Sequence, residues 1–137
     1  MIRAVIDTNV IVSALISSVG NEAIVLLAVN EGLLVPCFSA EILEEYRDVL
    51  RRPKFGFAAD EVESLLRAVK HHGASVDPRE VAGVSPDPED DKFIACAFAS
   101  AADFIVTGNR KHFPEAKLGG IRVVNAAELL EIIALKL

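Results

Sequence analysis

Cysteine is scarce in this chain, and the two present exclude a disulfide framework. Cys37 and Cys96 lie far apart in apolar surroundings, with neither the density of a stapled secreted domain nor the Cys-x-x-Cys spacing of a metal or redox pair. Both read as reduced core residues, which places the protein in the cytoplasm. Long apolar runs are missing too. Even a run as long as Ala23 to Val29 falls far short of the about 20 residues that a spanning helix needs, and no charged-then-apolar leader opens the chain. A soluble protein with no membrane association is expected. Positive charge is also in deficit: a formal net charge of −6 argues against a protein that coats nucleic acid through a basic surface. It leaves room for a cleft that gathers carboxylates around divalent cations, because a bound cation offsets the repulsion that the formal charge implies. No Gly-rich phosphate loop is present, and the serines and histidines show no arrangement favouring a Ser-His-Asp mechanism. His71 and His72 lack metal-ligand spacing and read as surface residues. Internal repeats, low-complexity tracts and linkers are absent.

What remains is an apolar chain of ordinary domain length. With 137 residues and 52% hydrophobic content it can bury one core, and residues 1–137 read as one domain. Ile2 to Ile6 is a β-branched run, and Asp7-Thr8-Asn9 offers N-cap chemistry for a following helix. Asn21 to Asn30 is a second helical stretch, stopped by Gly32, and Leu33 to Val35 looks like a strand ended by Pro36. Ser39 caps a helix running to about Arg52, where Pro53 breaks it. Ala59 to His72 is a further helix, ended by Gly73, with an extended piece at Ala74 to Val76; Asp77 to Pro86 is loop. Asp87 and Pro88 supply an N-cap and a first helical position for a helix reaching about Ala102. Phe104 to Val106 and Ile121 to Val124 are strands, and Ala126 to Leu135 is a terminal helix. Short apolar strands alternating with helices predict a parallel sheet covered on both faces.

In such sheets the ligand crevice lies outside the carboxyl ends of the strands. Asp7 follows the first strand, and Thr107-Gly108-Asn109 follows the strand at Phe104, although a helix cap and a turn would account for these residues as well. On the helix after Ser39, the apolar residues Ile42, Leu43, Tyr46, Val49 and Leu50 define one face. At about 100° per residue Glu41, Glu44 and Asp48 point away from it, whereas Glu45 falls at its edge and is half turned toward the protein body. On the helix from Pro88, the same arithmetic puts Asp90 on the apolar side with Phe93, Ile94 and Ala97, and Asp91 about 100° away at the edge. A carboxylate on a buried stripe is costly unless paired, hydrogen-bonded or metal-bound. Asp90 at the third helical position would also meet free N–H groups, and Asp87 is assigned mainly to capping.

Four segments together resemble the PIN-domain family: Ile6-Asp7-Thr8-Asn9-Val10, Ser39 to Phe55 (SAEILEEYRDVLRRPKF), Asp87 to Ala97 (DPEDDKFIACA) and Ile105 to Phe113 (IVTGNRKHF). The resemblance covers almost the whole chain, in order, and is greatest to the bacterial and archaeal branch of toxin components of toxin–antitoxin pairs. It implies a three-layer α/β/α sandwich with a mostly parallel sheet of about five strands. It also implies an acidic site that binds Mg²⁺ or Mn²⁺ and hydrolyses RNA phosphodiesters. Carried over, the first acid is Asp7 and the second Glu45, six positions after the serine that opens its helix. The third is Asp90 or Asp91, depending on which end of the motif is aligned; the helical-face reading favours Asp90. At the fourth position Asn109 stands where an aspartate is common, so a neutral carbonyl oxygen replaces a charge and a tightly held second metal is put in doubt. The branch further implies a small antitoxin that blocks the acidic cleft, and a homodimer.

Hard divalent cations take oxygen ligands, and carboxylates crowded together repel one another without one. In this reading Asp7 and Asp90 are direct ligands, Glu45 is a ligand or an orienter of the attacking water, and Thr107 and Asn109 hold waters or phosphate oxygens. Arg110 and Lys111, with His112, follow Asn109 and suit phosphate contacts. Arg47, Arg51, Arg52 and Lys54 cluster late in the Glu45 helix, where complementing the helix dipole is an equally good account. Two other readings compete. A phosphotransferase could use Asp7 as nucleophile, but the aspartate usual two residues on is replaced by Asn9. A binding module could keep the fold without turnover.

Overall fold

The computed structural model describes residues 1–137. Five parallel strands form the sheet: β1 (Ile2–Ile6), β2 (Leu34–Phe38), β3 (Ala74–Ser75), β4 (Phe104–Val106) and β5 (Arg122–Val124), in the order β3-β2-β1-β4-β5. Six α-helices connect and cover them: α1 (Thr8–Ile16), α2 (Asn21–Asn30), α3 (Ala40–Leu50), α4 (Ala59–His72), α5 (Asp91–Ser100) and α6 (Ala126–Leu135). The chain first steps outward from β1 to β2 to β3 and then returns across the sheet to β4. Right-handed crossovers in opposite directions place their helices on opposite faces. Accordingly α2 packs with α1, α4 and α6 on one side, while α5 lies against β1, β2 and β4 on the other. The result is the three-layer α/β/α sandwich that the family resemblance implies, its parallel sheet covered on both faces as the alternation of elements predicts. Both faces of the sheet are dry: Ala4, Val5 and Ile6 of β1 and all of β4 are buried in one continuous apolar core. No single helix is long and apolar enough to cross a membrane.

Two local departures from the sequence reading have clear causes. Pro36 does not end β2 but lies within it, paired with Ala4. The outer strand β3 reaches only Cys37 and Phe38, so β2 is still an edge at Pro36, where a missing N–H is tolerated. The second departure shapes the functional site. Residues Pro88–Asp90 form a 3-10 turn rather than the first turn of α5. The Asp87 carboxylate accepts from Glu89 N (3.0 Å), the Asp90 amide donates to the Asp87 carbonyl (3.0 Å), and Asp90 sits at φ −92°, ψ −7°, so the α-helix begins only at Asp91. The register of the helical face therefore shifts by one residue. Asp91, not Asp90, is the buried acid of this pair.

The strand order reverses between β1 and β4, whose connections run in opposite directions, and this is where an open parallel sheet leaves a crevice at its carboxyl end. Ile6 pairs with Val106 there, and the Asp7 amide continues the ladder to the Val106 carbonyl at 2.9 Å. The residues that follow the two strands, Asp7 and Thr107, are thus neighbours across the crevice.

Candidate active site

At that crevice lies an open cleft of about 540 Å³, lined by Asp7, Thr8, Asn9, Glu45, Arg52, Asp87, Glu89, Asp90, Asn109 and His112 among others. Asp7, Glu45 and Asp90 are positioned by three different elements. Asp7 is carried by the end of β1, and its Oδ2 accepts from the hydroxyl of Thr107 at 2.7 Å. Thr107 is fully buried, so its hydroxyl serves Asp7 rather than open solvent, and it also accepts from the Asn109 amide at 3.0 Å. Glu45 is carried by α3, which begins at Ser39, whose hydroxyl accepts from Ile42 N at 3.2 Å. One turn of this helix is tied directly to β1, because the buried Tyr46 hydroxyl donates to the Ile6 carbonyl. That contact holds Glu45 beside the residue that follows Ile6.

Asp90, at the end of the 3-10 turn, faces His112 across the cleft, with its Oδ2 2.6 Å from His112 Nδ1. The other ring nitrogen, Nε2, lies 3.2 Å from the side-chain amide nitrogen of Asn109. One tautomer satisfies both contacts: Nδ1–H donates to Asp90 and Nε2 accepts from Asn109. Asp87 joins this group, and Asp87, Asp90 and His112 each bring one potential ligand atom within 4.8 Å of the others.

Other residues singled out from the sequence lie elsewhere. Asp91 faces away from the cleft, its Oδ1 accepting from Ser85 N (2.8 Å) and its Oδ2 from Gly83 N (3.1 Å). It anchors the 77–86 loop, and Ser85 in turn donates its hydroxyl to the His112 carbonyl at 2.6 Å. Arg110 pairs with Glu128 on α6, and exposed Lys111 is not among the cleft residues. Arg47 and Arg51 pair with Glu63 of α4 at 3.5 and 2.8 Å. Arg52 is the arginine that lines the cleft.

Residues 3–111 match the PIN domain family, a span that includes Asp7, Glu45, Asp90 and Asn109. The chain belongs to the PIN-domain family. It is also 33% identical over 112 residues to an uncharacterised protein of Methanocaldococcus jannaschii, covering 80% of this chain and 72% of that one. No solved structure shows a significant match.

PIN domains are generally metal-dependent nucleases, and the donors gathered in this PIN domain fit a hard divalent cation. Burial pushes the Asp7 carboxyl up to about 6; the Thr107 hydrogen bond works against that rise, and the nearby charges of Asp90 and Glu45 add to it. Asp90 is raised as well, by burial first, against the pull of His112, with Asp87 and Glu45 adding repulsion. Such crowded, partly dehydrated carboxylates are stabilised by a cation, and carboxylate and amide oxygens are the donors that Mg²⁺ and Mn²⁺ prefer.

One cleft-side charge had no signal in the sequence pattern. Lys92, on the first turn of α5, places Nζ 2.6 Å from Glu45 Oε1. Burial alone would lower the Lys92 pKa, but the hydrogen bond and charge of Glu45 raise it above the ordinary lysine value. Helical periodicity could not identify this contact, since the partners are 47 residues apart. His112 could have been found only as part of the run after Asn109, where its contact with Asp90 depends on how that run folds back over the cleft.

Proposed function

We propose that this PIN domain is a Mg²⁺- or Mn²⁺-dependent endoribonuclease that hydrolyses RNA phosphodiester bonds. The observation that carries the reading is convergence: Asp7, Glu45, Asp90 and Asn109, from four separate parts of the chain, line one cleft at the switch point of a parallel sheet. When bound, a divalent cation polarises the scissile phosphate and makes an attacking water more acidic. Asp7, Asp90 and the Asn109 carbonyl are the groups we assign to holding it. Thr107 fixes the Asp7 carboxylate, and His112 fixes that of Asp90. Glu45 supplies an acceptor for a water at the cleft, and Arg52 a positive charge for a phosphate.

The order and spacing of the four sequence segments support the further proposal that the chain is a cytoplasmic toxin component of a toxin–antitoxin pair. Its partner would be a small antitoxin covering the acidic cleft, and the toxin itself would be a homodimer. A silent binding module on the same fold is the competing account, favoured by the missing acid at Asn109. Structured and single-stranded RNA incubated with the protein and Mn²⁺, Mg²⁺ or EDTA, beside Asp7→Asn, decides between them. Metal-dependent cleavage that disappears in the variant supports the nuclease. Binding of RNA with equal inertness of both proteins supports the module.

A further inference from the structure

We infer that Lys92 holds Glu45 off the catalytic cation, so that Glu45 is a fixed water-orienting carboxylate and the cation is bound by Asp7 and Asp90; this rests on the metal-dependent reading above. The carboxylates of the cleft are not equivalent. Both oxygens of Glu45 are engaged: Oε1 accepts from Lys92 Nζ at 2.6 Å, and Oε2 accepts from the Thr8 hydroxyl. Asp7 meets a threonine hydroxyl and Asp90 an imidazole, and neither has an ammonium or guanidinium partner. A cation entering the cleft therefore finds uncompensated negative charge at Asp7, Asp90 and the neighbouring Asp87, and not at Glu45.

The lysine is itself held in place. Its side chain is only 10% exposed, and Nζ also donates to the Glu89 carbonyl at 2.6 Å, with the Glu89 carboxylate 3.6 Å away and largely in solvent. Turning Glu45 toward a cation would take away the close counter-charge of a nearly buried ammonium, which is strongly unfavourable. Lys92 is not among the residues lining the cleft and so acts through Glu45 as a positioning residue. With Thr8 and Lys92 gripping its two oxygens, Glu45 keeps one orientation at the cleft, as an acceptor aimed at a reacting water must.

Calorimetric titration of the full chain with Mn²⁺ tests this, using wild type, Glu45→Gln, Lys92→Met, Lys92→Arg and the Lys92→Met/Glu45→Gln double variant. RNA cleavage is followed in parallel. Glu45→Gln keeps its Mn²⁺ affinity within about twofold while cleavage falls, because the removed charge was not on the ion. Lys92→Met binds Mn²⁺ about tenfold more tightly, since a released Glu45 adds a ligand and a charge; Lys92→Arg stays near wild type, and the double variant loses the gain. A merely structural lysine would leave the affinity unchanged or weaken it. If Lys92→Met fails to fold by circular dichroism, the Glu45→Gln comparison decides alone. A loss of about a hundredfold or more in Glu45→Gln, as for removal of a bound carboxylate charge, overturns the inference while leaving the metal reading intact. A wild type that binds no Mn²⁺ overturns the metal reading itself.

Discussion

A carboxylate buried at the end of a strand is relieved either by a proton or by a cation, and Asp7 has been left open to both. Its ionisation moves from 3.8 to about 6 on folding, so the folded protein binds this proton more tightly than the unfolded chain. The stability that protonated Asp7 contributes is complete below 3.8 and is lost as pH rises through about 6. In the metal-free protein at pH 7 the ionised group costs about 3 kcal/mol. Metal-free Asp7→Asn should therefore be more stable than wild type at pH 7, by about 1–3 kcal/mol in urea denaturation, and the advantage should vanish near pH 4. An equal stability of the two proteins at pH 7 would count against the burial account. Asp91 predicts the opposite sign. Its carboxylate satisfies two loop amides from an almost fully buried position, so Asp91→Ala should lose about 3 kcal/mol in the same denaturation. It should also weaken RNA cleavage, because the 77–86 loop that it anchors reaches the His112 carbonyl through Ser85.

Among the elements, α3 and the junction before β3 carry most of the positional information. The Tyr46 hydroxyl is the tie between α3 and the carbonyl end of β1. Tyr46→Phe should cost about 1–2 kcal/mol by leaving the Ile6 carbonyl unpaired, and should slow cleavage with little change in RNA affinity. Gly73 reads from the sequence as a helix stop, but its left-handed freedom is unused. It is needed for close approach: a Cβ there would sit 2.4 Å from the carbonyls of Pro36 and Val69 and 2.8 Å from Phe38 Cε1. Gly73→Ala should destabilise by about 3 kcal/mol, measured as a lower urea midpoint. Most elements were legible because their signals are local: the cap at Ser39, the β-branched run in β1, amphipathic spacing in α3. The start of α5 was not. Asp87 and Pro88 signal a helix start equally well for a 3-10 turn and an α-helix, and contacts to an irregular loop select between them.

For the molecule as a whole, relief of the carboxylate cluster predicts that a divalent cation stabilises the fold. At a Mn²⁺ concentration about 100 times its Kd, binding to the folded state adds about 2.7 kcal/mol, a rise in melting temperature of roughly 8 °C. EDTA should reverse the rise in differential scanning fluorimetry, and Asp90→Asn should abolish it; an unchanged melting temperature in wild type would argue against the centre. The sequence by itself determined the alternation of strands and helices, hence a parallel sheet covered on both faces. It also determined that Asp7 and Thr107 would follow strands at the carboxyl edge, because side-chain pattern and turn chemistry act over a few residues. Only the tertiary structure decided that Asp90 faces the cleft while Asp91 anchors a loop, that Arg110 turns to Glu128 while Arg52 lines the cleft, and that Lys92 grips Glu45. Those choices rest on contacts between segments far apart in the chain or on the path of an irregular loop, and neither periodicity nor local propensity contains them.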